Sequence, residues 1–220
     1  MVFIVIPAFN EEESIGRVMG GLFEHGYKNI IVVDDGSTDN TREVAGSMGA
    51  HVVSHEINRG QGASLQTGNE CALSMGARLV VHFDADGQFN PADIKSAIKI
   101  LEEKNLDVVL GSRFLDGRSN IPWTKRHILF PLGRLINRII TGVKLSDAHN
   151  GFRVLTRRAL EKLHINHDRM AHNSEIIKLL KQQNLAHIEH PVEVMYHEYG
   201  QGFSGGIKIL LELLRGKFLN

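Results

Sequence analysis

Residues 2–7 read VFIVIP, a run of five apolar side chains that a proline ends. Apolar side chains on both faces of a strand are typical of a sheet that helices cover on both sides. A helical pattern follows at once, because Asn10 precedes three glutamates and apolar residues then recur at helical spacing from 15 to 23. An asparagine before acidic residues is typical of a helix start, so we predict a first helix capped by Asn10.

Strand and helix patterns alternate as far as residue 113, and this alternation predicts an α/β fold with a mostly parallel, doubly wound sheet. A chain of 220 residues favours one large domain. The predicted strands cover 2–6, 30–33, 51–54, 79–83, 108–110, 152–155 and 192–195. The predicted helices after the first begin at Asp39, Ala63, Pro91, about residue 123, Asn173 or Ser174, and Ile207.

The chain carries 25 basic and 25 acidic residues, so no overall field attracts nucleic acid. Its single cysteine, Cys71, cannot form an internal disulfide. The sequence shows neither a leader pattern nor an apolar run of about 18 residues that would span a membrane. We therefore expect a cytoplasmic protein that meets membranes peripherally.

Polar segments follow each of the five early strands. Ligands bind beyond the carboxyl ends of the strands in open parallel sheets, so we expect these segments to form one site. They are residues 7–11, 34–37, 58–62, 84–88 and 111–113.

Two carboxylates in the fourth segment predict a cation site. Asp84 and Asp86 leave the same face of an extended chain, about 6–7 Å apart along the backbone, so both could bind one ion. Carboxylate oxygens suit Mg²⁺ or Mn²⁺, which keep other positions for water and substrate phosphates. The alternative is a simple turn before Gly87, and the neighbouring polar segments favour the cation site over it.

The second segment suits a nucleotide, because Asp34 and Asp35 can accept hydrogen bonds from a nucleobase or a ribose. A dinucleotide-binding dehydrogenase is disfavoured, because no G-x-G-x-x-G follows the first strand, and no Walker A sequence occurs. A nucleotidyltransferase is also disfavoured, because the amino-terminal part has no glycine-rich triphosphate loop with a basic residue.

Four segments resemble, in order and spacing, the motifs of the family 2 glycosyltransferases with the GT-A fold. The similarity is greatest to the dolichol-phosphate mannosyltransferase-like, or polyprenyl-phosphate glycosyltransferase, branch. The segments are VIPAFNEE at 5–12, VVDDGSTD at 32–39, NRGQG at 58–62 and DADGQ at 84–88. Residues 147–153 and 196–204 resemble that branch more loosely, so the similarity extends over nearly the whole chain.

The resemblance implies one GT-A domain with a nucleotide-sugar-binding half, 1–113, and an acceptor-binding half, 114–220. A divalent cation, Mg²⁺ or Mn²⁺, is expected on Asp84, Asp86 and Gln88. The implied nucleotide-binding residues are Pro7, Asn10, Glu11, Asp34, Asp35, Gly60 and Asp84. The candidate catalytic residues are Asp86, Arg113, Asp147 and Glu175.

The resemblance also implies an inverting transfer, in one in-line displacement, from a UDP- or GDP-sugar to a polyprenyl phosphate. Arg113 is expected to face phosphate, with a surface salt bridge as its alternative. A lipid phosphate needs no general base, whereas a saccharide or protein hydroxyl does, and Asp147 and Glu175 are the candidates for it. Glu175 also suits a helix start. A non-catalytic nucleotide-sugar-binding or membrane-binding subunit remains a third interpretation.

The segment from about 123 to 143 combines basic residues with apolar residues at helical spacing, and no acidic residue lies between Asp116 and Asp147. Such a pattern is typical of a helix that lies in a lipid headgroup layer, and equally of a helix that packs on the core. The resemblance implies spanning helices in many relatives, and none is expected in this chain. Docking at the inner face of the cell membrane is therefore expected to be peripheral or through a membrane-protein partner.

Overall fold

The computed structural model describes residues 1–121, 123, 127, 130–168 and 171–195. Its strands are β1 (Val2–Ala8), β2 (Ile30–Asp34), β3 (His51–Ser54), β4 (Leu79–His82), β5 (Val108–Ser112), β6 (Arg153–Thr156) and β7 (His187–Pro191). Its helices are α1 (Ile15–Glu24), α2 (Thr41–Ser47), α3 (Gln61–Ser74), α4 (Ala92–Glu103), α5 (Phe130–Thr141), α6 (Arg157–Lys162) and α7 (His172–Gln182).

All seven strands form one sheet in the order β3-β2-β1-β4-β6-β5-β7. The neighbouring pairs are parallel except at β6, which runs antiparallel to both β4 and β5. The carboxyl ends of β1, β2, β4 and β5 therefore lie at one edge, where the amino end of β6 joins them. This arrangement confirms the predicted single α/β domain with a mostly parallel sheet.

Helices cover both faces of the sheet. In β1, Ile4 and Ile6 belong to one core and Phe3 and Val5 to the other, and all four are almost fully buried. Residues of α1, α2 and α4 complete the first core, and residues of α3, α6 and α7 complete the second. Burial on both faces explains why the strand runs are continuously apolar rather than alternating.

The first helix begins later than the sequence predicts. It starts at Ile15, after Ser14, and Asn10 is not its cap. Asn10 instead adopts a left-handed conformation with φ of 55°, and its side-chain oxygen accepts a hydrogen bond from the Thr38 amide at 2.9 Å. A contact with a distant loop has thus replaced the local capping contact that the sequence pattern favours.

Later boundaries also differ. The predicted strand at 192–195 is wrong, because the strand is β7, five residues earlier in the chain, while Val192 and Val194 pack into the first core. Asp39 precedes α2 by two residues, and its carboxylate accepts from the Thr41 amide at 3.0 Å. The short helix α6 was not predicted. The predicted helix from Ile207 and the motif at 196–204 lie outside the described residues, as does part of the predicted helix 123–143.

Candidate active site

Hydrogen bonds join the first two loops at the carboxyl edge of the sheet. The Asn10 amide donates to Ser37 Oγ at 2.9 Å, and the Glu11 amide donates to Thr41 Oγ1 at 2.7 Å. Pro7 is buried within β1, where it pairs with Val33, whereas Asn10 is exposed. The expected nucleotide-binding residues of the first segment are therefore held against the second segment.

Asp35 lies beneath the third loop. Its carboxylate is buried and accepts the Arg59 amide at 3.0 Å, the Gly60 amide at 2.6 Å and the His55 ring nitrogen Nδ1 at 2.7 Å. Gly60 has φ of 104°, a conformation that favours glycine. Neighbouring Asp34 is also buried and accepts the Ser37 amide at 3.2 Å. These contacts fix the shape of the second and third loops.

Asp84 and Asp86 follow β4 and differ in environment. Asp86 is exposed, and its Oδ1 accepts the Gln88 amide at 3.0 Å, in a turn whose Gly87 has φ of 74°. Asp84 is partly buried, and Gln61 Nε2 donates to its Oδ1 at 2.9 Å. The Gln61 contact ties the start of α3 to the candidate cation site.

The pKa of Asp84 is raised to about 7, mainly by burial and also by the charges of Asp86 and Glu11, while the charges of Arg153 and Arg113 oppose that rise. The pKa of Glu11 is also raised, mainly by burial and partly by Asp86. The hydroxyl of Ser14 donates to the Glu11 carboxylate. Three acidic side chains thus concentrate negative charge at one point of the edge.

A divalent cation fits this donor set, because hard carboxylate oxygens suit it and its charge would stabilise the ionised form of Asp84, which burial and the neighbouring carboxylates disfavour. Within the described ranges, no group of three or more His, Cys, Asp or Glu side chains is arranged to hold a metal ion. The candidate ligands are accordingly two carboxylates and the Gln88 side chain, a set that leaves room for oxygens of a substrate.

Arg113, at the end of β5, faces a buried acidic partner. Its Nε donates to Asp147 Oδ2 at 2.6 Å, and its backbone amide donates to the same oxygen at 3.1 Å. Asn150 Nδ2 donates to that oxygen as well, at 3.2 Å. The guanidinium carbon lies 4.9 Å from the centre of the Phe130 ring. Because Asp147 is 4% exposed, this pair is not the surface salt bridge that was the alternative for Arg113.

A second arginine, Arg153, is buried and interacts electrostatically with Asp84 and Asp147. Its guanidinium donates to the Gly151 carbonyl at 3.3 Å and to Asn173 Oδ1. Burial lowers its pKa to about 10, although the attraction of Asp84 and Asp147 opposes that shift. Sequence reasoning placed Arg153 inside a predicted strand and did not identify it as part of the site.

Glycine at 151 allows the Asp84 carboxylate to approach the chain closely. A Cβ atom there would lie 2.8 Å from Asp84 Oδ1 and nearer still to Oδ2. Sequence reasoning missed this requirement and the role of Gln61, although both residues stand inside the quoted motifs. The available signal was the glycine itself, which often marks a close approach.

Glu175, in the first turn of α7, holds a loop. Its carboxylate accepts the Asn166 amide at 3.1 Å and the His167 amide at 2.9 Å. These hydrogen bonds lower the pKa of Glu175, although burial opposes the shift. The Asp168 carbonyl of the same loop accepts the Gly62 amide at 2.7 Å, so the loop is joined to α3.

Helix α5 presents apolar side chains to the outside. Leu132, Leu135 and Ile139 are 42%, 55% and 63% exposed, whereas the polar Asn137 and Thr141 are buried. Within the residues that the structure describes, no helix has the length and apolar character needed to cross a membrane.

Two basic residues of the segment between Asp116 and Asp147 have partners within the protein. The guanidinium of Arg134 lies 5.2 Å from the centre of the Phe114 ring. Arg118 pairs with Asp93 at 2.9 Å and with Asp116 at 2.5 Å. Residues 124–126 and 128–129, which include the basic residues Lys125 and Arg126, lie outside the described residues.

Comparison with known proteins relates this architecture to sugar transfer. Residues 3–164 match Glycosyl transferase family 2. The UDP-N-acetylglucosamine–dolichyl-phosphate N-acetylglucosaminyltransferase of Methanococcus voltae is 32% identical, over 100% of this chain and 98% of its own length. The polyprenol monophosphomannose synthase of Mycolicibacterium smegmatis is 29% identical, over 74% of this chain and 64% of its own.

The fold is also that of a solved glycosyltransferase. One similar structure is the glucosyl-3-phosphoglycerate synthase of Mycobacterium tuberculosis in complex with Mn²⁺, UDP and glucosyl-3-phosphoglycerate. It superposes on this chain with a TM-score of 0.69 and 21% sequence identity, over 97% of this chain and 79% of the synthase chain. Together with the match over residues 3–164, these similarities show that the chain is a glycosyltransferase that belongs to Glycosyl transferase family 2.

Proposed function

We propose that this protein transfers a sugar from a UDP- or GDP-sugar to a polyprenyl phosphate, with inversion and with Mg²⁺ or Mn²⁺ as cofactor. One observation carries the proposal: an acidic cluster of Glu11, Asp84 and Asp86 lies within electrostatic reach of Arg113. A negative region suits a cation on a diphosphate, and a neighbouring guanidinium suits a second phosphate.

The donor is assigned to the 1–113 half. Pro7, Asn10, Glu11, Asp34, Asp35 and Gly60 would shape the nucleotide site, and Asp84, Asp86 and Gln88 would hold the cation. When bound, the cation neutralises charge on the departing nucleoside diphosphate. Manganese and UDP in the solved glucosyl-3-phosphoglycerate synthase support this choice of donor and cofactor. Gln61 and Gly151 would keep the Asp84 carboxylate in place.

The acceptor is assigned to the 114–220 half, with its phosphate on Arg113, the residue at the boundary between the two halves. A lipid phosphate is already ionised, so a single displacement at the anomeric carbon needs no proton acceptor. This fits the internal contacts of both candidate bases, because Asp147 accepts from Arg113 and Glu175 accepts from loop amides. The named dolichyl- and polyprenol-linked activities of the two relatives support a lipid phosphate over a hydroxyl.

The exposed apolar face of α5 would meet the cytoplasmic surface of the membrane, where the acceptor resides. Leu132, Leu135 and Ile139 lie three and four positions apart, and Arg138 is exposed beside them. An apolar stripe with an adjacent cation is favoured at a lipid headgroup layer. A membrane-protein partner stays a prediction.

The test is transfer of radiolabelled sugar from a panel of UDP- and GDP-sugars to polyprenyl phosphate, with the product extracted into organic solvent. We expect Mn²⁺-dependent labelling that falls about 100-fold in Asp86→Asn, because charge stabilisation of the leaving group is lost. The control is Glu161→Gln, which removes an exposed carboxylate paired with Arg157 on the outer face of α6. Labelling of a saccharide but not of the lipid, or no labelling with any donor, would contradict the proposal.

A further inference from the structure

Glu189, in the strand β7, collects hydrogen bonds from a turn that belongs to a different part of the chain. The Ser146 amide donates to both carboxylate oxygens at 2.8 Å, and the Ser146 hydroxyl donates to Oε1 at 2.8 Å. The Asp147 amide donates to Oε1 at 2.9 Å. Hydrogen bonds to an ionised acceptor are the stronger ones in proteins, so this carboxylate fixes the turn firmly.

The same turn is also held from β5. Ser112 Oγ and Ser146 Oγ lie 2.6 Å apart, and the Ser112 carbonyl accepts the Val192 amide at 3.0 Å. Glu189 itself pairs with Leu110 of β5 in the sheet. The turn at 146–147 therefore rests on two adjacent strands.

The turn at 146–147 holds the guanidinium of Arg113 through Asp147. Asp147 Oδ2 accepts both the backbone amide and the Nε of Arg113, at 3.1 and 2.6 Å. Two carboxylates thus act in series: Glu189 fixes the backbone of Asp147, and Asp147 fixes the arginine. An arginine held in this way has already lost the side-chain freedom that it would otherwise lose on binding a phosphate.

We infer that Glu189 is a positioning residue for Arg113, which it holds, through Ser146 and Asp147, in the orientation that receives the acceptor phosphate. The inference rests on the proposed function for the identity of that phosphate. Misplacement of a binding group by about 1 Å can cost on the order of 100-fold in rate, so a residue that never touches substrate can control turnover.

The orientation can be measured without any activity, from hydrogen exchange of the Arg113 Nε–H in protein labelled with [¹⁵N]arginine. The signal is identified by its loss in Arg113→Lys. We expect Glu189→Gln to speed exchange at least tenfold, since an amide cannot accept from every donor of the turn, and Ser146→Ala to speed it less.

The matched control is Asp107→Asn. Asp107 accepts the Ala186 amide at 2.9 Å, so it anchors the segment that leads into β7 at the opposite edge of the sheet. We expect Asp107→Asn to leave the Arg113 exchange within twofold of wild type. Unchanged exchange in Glu189→Gln, or equal acceleration in Asp107→Asn, would overturn the inference.

Kinetics give a second readout. We expect Glu189→Gln to raise KM for polyprenyl phosphate and to lower kcat about 10- to 100-fold, with KM for the nucleotide sugar unchanged. Combined with Arg113→Lys, it should cost no more than about twofold beyond Arg113→Lys alone, because both act through one group. Additive losses, or an altered KM for the nucleotide sugar alone, would refute positioning. If wild type transfers no sugar, the proposed function fails, and the exchange measurement still decides the role of Glu189.

Discussion

Replacing Gly151 by alanine should disable the candidate cation site while leaving the fold intact. The added Cβ would stand 2.8 Å from Asp84 Oδ1, 2.9 Å from Cγ and nearer still to Oδ2, so the carboxylate must withdraw by more than about 0.6 Å to reach ordinary contact near 3.4 Å. That withdrawal breaks the 2.9 Å hydrogen bond from Gln61. A hydrogen bond to a charged group contributes about 1.5–3 kcal/mol, which corresponds to roughly 10- to 150-fold in affinity.

The assay is titration calorimetry of Mn²⁺ with UDP or GDP, followed by transfer kinetics. We expect Gly151→Ala to weaken binding of the Mn²⁺–nucleotide about 10- to 100-fold and to lower kcat/KM by at least as much. Gly20→Ala is the matched control, because a Cβ at that position in α1 meets nothing within 4 Å. Wild-type binding and turnover in Gly151→Ala would show that the site does not need the Asp84 carboxylate to stay against residue 151.

Three further predictions concern charge and surface. Because the pKa of Asp84 is raised from its ordinary 3.8 to about 7 in the folded state, protons should compete with Mn²⁺ and weaken its binding as pH falls below 7. Without metal, the fold should lose stability as pH rises between these two values, so Asp84→Asn should raise the free energy of unfolding above pH 7 by up to about 4 kcal/mol, measured by urea unfolding. Asp147→Asn should lower the free energy of unfolding by about 3 kcal/mol, since it leaves the Arg113 charge without its buried partner; an unchanged denaturation midpoint would contradict the pairing. The double substitution Leu135→Glu and Ile139→Glu should abolish sedimentation of the protein with anionic vesicles. Because both side chains are exposed, thermal unfolding should show a stability within about 0.5 kcal/mol of wild type per substituted site. Vesicle binding that survives the double substitution would show that α5 is not part of the docking surface.

The strands that sequence reasoning predicted well are those whose signal is local. Ile4 and Phe3 point to opposite faces of β1, and both are buried, so an uninterrupted apolar run is a direct consequence of the fold. Strand β7 was not predicted because its sequence, HIEHP, contains a single aliphatic residue. Such a polar sequence is possible because the strand is half-buried at the edge of the sheet. Its position depends on pairing with β5, a contact that no local pattern encodes.

The starts of the helices also depend partly on local sequence and partly on contacts between distant residues. Asn10 before three glutamates satisfies every local rule for a cap, yet its side chain bonds to Thr38, 28 residues away. Tertiary contacts override capping preferences wherever a loop must meet another loop, as at this edge. By contrast, a local contact does form at the start of α4, where Asn90 Oδ1 accepts the Ala92 amide at 3.0 Å.

The residues of the candidate site likewise include some with a local sequence signal and some without one. Asp84, Asp86 and Gln88 could be predicted because they lie together in one short segment after a strand. Arg153, Gly151 and Glu189 could not, because each acts on a residue far away in sequence. The local sequence around an arginine in a strand, or a glutamate in an edge strand, gives no indication of a functional role. Only the assembled sheet brings such a residue into contact with its partners.

If Asp84 and Asp86 hold a divalent cation on the diphosphate of a nucleotide, nucleotide affinity must depend on both the cation and Asp86. The decisive measurement is calorimetric titration of UDP and GDP, with and without Mn²⁺, into wild type and Asp86→Asn. We predict that one of the two nucleotides binds wild type at least tenfold more tightly with Mn²⁺, and that Asp86→Asn removes this gain. A gain that persists in Asp86→Asn, or nucleotide binding that ignores Mn²⁺ in wild type, would contradict the claim.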